Sequence, residues 1–68
     1  MSLAPANRLH EEALVAVGRA TVALGAGDTA TYDALVKRAC RLFEAASWAA
    51  HDPAVGLRLL RAHGLEDD

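Results

Sequence analysis

Gly25-Ala26-Gly27-Asp28-Thr29-Ala30-Thr31 separates two long runs of helical periodicity and sets how they connect. Glycine accepts the left-handed backbone that closes a helix. Asp28, Thr29 and Thr31 are the residue types whose side-chain oxygens cap the next one. A phosphate-cradling loop would follow a strand and usually carry a lysine, and this segment does neither. It therefore reads as a turn between helices.

Working outward, a first helix is expected over 6–24, with Pro5 tolerated in the opening turn because its missing N–H has no helical partner there. At 100° per residue Leu9, Ala13, Ala16, Val17, Ala20 and Leu24 share one side, with Arg8, Glu12 and Arg19 roughly opposite. A second helix is expected over 31–50. It gathers Tyr32, Leu35, Val36, Ala39, Leu42, Phe43 and Ala46 on a wide face, and Asp33 and Lys37 stand four residues apart on the other side. Asp52-Pro53 reads as a cap followed by proline at the first helical position, opening a short third helix over 53–63. Leu57 and Leu60 would point inward, and Arg58 and Arg61 outward. Gly64 would close that helix, with Leu65 folding back ahead of an acidic tail over 65–68. Nothing alternates over a length that would make a strand. The expected fold is all-α: an antiparallel helical hairpin plus a short third helix, in one small domain over 1–68.

Length limits what such a chain can do. A chain of 68 residues hides only about 60% of the surface its unfolded form exposes, and needs help to be stable. Cys40 is the one cysteine, so no disulfide can form within the chain. His10, His51 and His63 are far apart and no cysteine pair exists, so no metal or other cofactor is expected. Association with a second copy or docking on a partner is the remedy left. With 53% hydrophobic residues, disorder is disfavoured. No apolar run approaches the roughly 20 residues that cross a bilayer, and the first residues lack the pattern of a secretion signal, so a cytoplasmic setting is expected. The alanine content and the excess of arginine over lysine point to a GC-rich bacterial or phage genome.

The motifs that suggest chemistry have plainer explanations. His10-Glu11-Glu12 lacks the second histidine four residues on that a zinc-protease helix requires, since position 14 is leucine. His51-Asp52 is better explained as a helix end with its favoured positive charge, followed by a cap. Neither has a visible nucleophile beside it, and no catalytic residue is nominated. Cys40 is expected to be an inert, buried thiol at the edge of an apolar face. Gly18 and Gly25 at seven-residue spacing, with Ala39, Phe43, Ala46 and Pro53, resemble one tetratricopeptide-type helical pair. No single register fits all of them, and such solenoids stack several repeats, so membership is not inferred.

Two apolar features are left over. Val15 and Val22 form a second strip on the first helix beside small residues, and the expected dimer would form there. Trp48 follows Arg41 and Glu44 on the charged side of the second helix, where it is either packed beneath Val55 and Leu59 or an exposed anchor. The function expected is a non-enzymatic protein–protein interaction module, an adaptor, neutraliser or inhibitor of a larger protein, with Val15, Val22, Trp48, Arg58 and Arg61 as contacts. The alternative is a small nucleic-acid-binding regulator that uses Lys37, Arg38, Arg41, Arg58 and Arg61, against a net charge of -2.

Overall fold

The computed structural model describes residues 3–65, and all of the regular structure among them is helical. Three helices follow in order: α1 (Ala4–Gly25), α2 (Thr29–His51) and α3 (Pro53–Ala62). The expected tail residues 66–68 lie outside the described residues.

Each junction is made by the groups that the sequence offers there. At the end of α1, the Asp28 amide donates to the Ala23 carbonyl at 2.9 Å and the Gly27 amide to Leu24 at 3.1 Å. That doubled closing pattern needs a left-handed residue between the two helices, and Gly27 supplies it with φ of 76°. Asp28 then caps α2, its carboxylate accepting from the Thr31 amide at 3.1 Å and the Thr31 hydroxyl at 2.6 Å. These two bonds favour the charged carboxylate and hold Asp28 below its ordinary pKa of 3.8. Between α2 and α3 the chain turns on a single extended residue, Asp52, which accepts from the Ala54 amide at 3.0 Å. Pro53 follows at the first helical position, where its missing donor costs nothing. The end of α3 repeats the pattern of the first turn: the Leu65 amide reaches the Leu60 carbonyl at 2.8 Å, with Gly64 at φ of 69°.

The helices meet along alanines. On α1 the buried positions Leu9, Ala13, Ala16, Ala20 and Ala23 step alternately by four and three residues, the spacing that keeps one seam facing a neighbouring helix. Ala39, Leu42, Ala45 and Ala49 are the buried positions of α2. Small side chains let α1 and α2 lie close, but they remove little apolar surface from water. Among the described residues, Leu9 and Leu42 are the only large side chains that are fully buried. Fully burying a leucine stabilises by about 1.5–3 kcal/mol, and a methyl group contributes only about 0.8 kcal/mol. The core is thin for the length of its helices.

α3 closes one end of the α1–α2 pair. Gly56 is its buried residue, and a Cβ there would stand 2.8 Å from the Pro5 Cβ and 2.9 Å from the Ala49 Cβ. Leu59, Leu60 and Leu65 pack against the cluster of Ala6, Leu9, Ala13, Leu42, Ala45 and Ala49. Leu57, expected to point inward, is instead 60% exposed. The close approach at Gly56 sets the rotation of α3, and Leu57 falls about 100° around from it. Beyond the reach of α3 the molecule is a layer of two helices, which accounts for its extents of 42 × 22 × 13 Å.

Candidate protein-interaction surface

A two-helix layer has two flanks, and α3 packs against only one of them. The first, here the Trp48 flank, carries two shallow hollows. Near the turn, Val15, Gly18, Arg19 and Val22 of α1 face Thr31 and Leu35 of α2. Towards the other end, Arg41, Glu44, Ala45 and Trp48 of α2 meet Leu59 and His63 of α3. Trp48 lines this hollow together with Leu59 and His63 of α3 and is 60% exposed. The covered arrangement beneath Val55 and Leu59 is therefore not the one found. With Ala49 against Gly56, α3 crosses one helical position to the side of Trp48.

The second, the Phe43 flank, was not foreseen as a surface. Val17, Thr21 and Leu24 of α1 face Tyr32, Val36, Cys40 and Phe43 of α2 across an apolar groove. The His10 ring lies on the same side, 5.4 Å from that of Phe43 and tilted by 57°. Periodicity puts Val17, Leu24, Tyr32, Val36 and Phe43 on the inner faces, yet Leu24 is 54% exposed and Val17 44%. The alanine seam claims the contact line, and the larger residues beside it stand at the margin, where one neighbouring helix does not cover them. Cys40, expected to be buried, is exposed for the same reason. The legible signal was the width of the apolar face, which exceeds what one partner helix can occupy.

The remaining candidates are dispersed. Val15 and Val22 share one hollow and Trp48 lines the other, while Arg58 and Arg61 are exposed on α3 and line neither. Of the basic residues, Lys37 pairs with Asp33 at 2.8 Å and Arg41 shares its hollow with Glu44. On the Trp48 side, Arg8 and Glu12 pair at 2.6 Å. Among the described residues no group of three or more His, Cys, Asp or Glu side chains is placed to hold a metal ion. No helix among them is long and apolar enough to cross a membrane. No family model, curated protein or solved structure matches the chain.

Proposed function

We propose that the chain is a non-enzymatic protein–protein interaction module, built on an antiparallel α1–α2 hairpin, that binds a larger protein through the Trp48 flank. The observation that carries this reading is the 60% exposure of Trp48 in a hollow with Arg41, Glu44, Leu59 and His63. A large rigid ring beside an arginine, with an apolar floor and a polar rim, is the composition of an interface anchor. Val15 and Val22 extend the apolar part of the same flank towards the turn, with Arg58 and Arg61 at its α3 margin. Adaptor, neutraliser and inhibitor are all roles that such a surface serves. The reading takes the protein to work in the cytoplasm, where the exposed Cys40 thiol stays reduced.

The test is capture of partners with wild-type chain, then titration of the purified partner against wild type and Trp48→Ala. Loss of a true anchor costs about 2 kcal/mol or more, which is roughly 30-fold in affinity. Unchanged affinity for Trp48→Ala, with a lowered melting temperature, would make Trp48 a packing residue and remove the reading. The nucleic-acid alternative has a separate signature. Binding of duplex DNA through Lys37, Arg38, Arg41, Arg58 and Arg61 must weaken steeply as salt rises. The Lys37–Asp33 pair and the Arg41–Glu44 neighbourhood weigh against it, since both reduce the positive field that phosphates would meet.

A further inference from the structure

We propose that the Phe43 flank is covered by the same flank of a second copy of the chain, giving a four-helix bundle of two α1–α2 pairs. The proposal does not rest on the Trp48 reading, because it uses the opposite side of the layer.

The first argument is the pattern. α1 carries its inner seam of Leu9, Ala13, Ala16, Ala20 and Ala23. Beside it runs a second row, His10, Leu14, Val17, Thr21 and Leu24, with the same alternating steps of four and three. On α2 the outer row is Tyr32, Val36, Cys40 and Phe43, at steps of four, four and three along the margin of the buried seam. A helix that touches one neighbour needs one such row. A helix in a four-helix bundle touches two, and its apolar face is widened to match.

Area is the second argument. The chain exposes 4595 Å², where a folded monomer of its 7.2 kDa is expected to expose about 4,100 Å². A flank of two helices of this length, each about 33 Å long and about 8–10 Å apart, offers a footprint of roughly 600 Å² per copy. Two copies together reach about 1,200 Å², the lower bound of stable specific interfaces.

Charge decides which flank pairs with itself. A two-fold axis lays a surface on its own copy, residue i meeting residue j and j meeting i, so every charge on that surface is desolvated twice over and must find an opposite partner, whereas an uncharged face carries no such cost. The two outer rows of the Phe43 flank contain no Asp, Glu, Lys or Arg. The Trp48 flank carries Arg8, Glu12, Arg19, Arg41 and Glu44 among its apolar residues. Self-pairing therefore belongs to the Phe43 flank, and the Val15–Val22 strip, with Arg19 beside it, is left facing outward. In such a dimer both Trp48 side chains remain on the outer faces.

The experiment is light scattering on a sizing column over a dilution series, for wild type, Val36→Glu, Val22→Glu and Trp48→Ala. Wild type, Val22→Glu and Trp48→Ala are expected at twice the 7.2 kDa chain mass at high concentration, and Val36→Glu at the single-chain mass with its helical circular dichroism retained. A wild type that stays monomeric overturns the proposal, as does a dimer broken by Val22→Glu and not by Val36→Glu. Should Val36→Glu unfold, the reactivity of Cys40 in the wild type gives the answer, because Cys40 lines the proposed seam. Alkylation that slows as concentration rises supports the seam, and a dimer whose Cys40 reacts as fast as the dilute chain refutes it. Loss of partner binding in Trp48→Ala with the dimer intact would separate the two surfaces.

Discussion

The two ends of the molecule are built from similar helical material and differ in how much of it is covered. At the α3 end, Gly56 lets a third helix settle on Pro5 and Ala49, and three leucines reach the core. At the turn end, α1 and α2 meet only each other, and Val15, Val17, Val22, Leu24 and Val36 are all exposed. Apolar residues are no scarcer there. What is missing is a third element, because α3 ends at Ala62 after 10 residues, about 15 Å of helix set beside α1 and α2, each more than twice as long. The burial of a residue here depends on the reach of α3 as much as on its own side chain.

This contrast can be broken most forcefully at the core. Leu42→Ala removes one of the two leucines fully buried among the described residues and is expected to cost about 2–5 kcal/mol, enough to unfold so small a chain. Val22→Ala, at a position 73% exposed, should stay within about 0.5 kcal/mol. Urea titration followed by circular dichroism measures both, and equal losses would mean that the two ends do not differ in packing.

The glycines sharpen the comparison because they predict opposite signs. Gly56→Ala pushes a methyl group into Pro5 and Ala49 and should destabilise by about 1–3 kcal/mol despite the helix-forming advantage of alanine. Gly18 has nothing within 4 Å of an added Cβ, so Gly18→Ala should stabilise by about 0.5–1 kcal/mol. Thermal melts of the two variants decide it, and a shift of the same sign for both would contradict the placement of α3.

Capping gives smaller effects. Asp52→Ala removes the acceptor for the Ala54 amide and should cost about 1 kcal/mol, loosening α3 and slowing nothing at the turn. Amide exchange should then quicken in α3 and not around Gly27. The smallest expected effect is a pH dependence. Thr31 holds the Asp28 carboxylate below its ordinary value of 3.8 in the folded chain. Its contribution is therefore complete above that value and is lost as pH falls through the lowered one. Acid titration of the melting temperature should show a shallower fall below that pH in Asp28→Ala than in the wild type.

The junctions were legible because they depend on local chemistry. Asp28 and Asp52 cap where the sequence places caps, and Gly27 and Gly64 take the left-handed positions that end α1 and α3. Helix ends moved by only a few residues. The sides of the helices were harder to read. A wide apolar face does not say which of its residues meets the neighbour, and the close alanine seam left Val17, Leu24, Val36 and Phe43 at the margin. The same ambiguity put Leu57 inside and left Trp48 undecided between packing and exposure. Those residues are decided by how α3 docks at Gly56, a tertiary contact with no local signal. The exposed Phe43 flank went unseen for this reason.

The central claim is that the Phe43 flank is covered by the same flank of another copy of the chain, and the concentration dependence of its melting temperature tests it most directly. Pairing that only folded chains can make adds stability by mass action. The wild type should therefore melt higher as it is concentrated, and Val36→Glu should lose that dependence while Val22→Glu keeps it. A melting temperature that is the same at every concentration would contradict the account and leave the Phe43 flank open on a monomer.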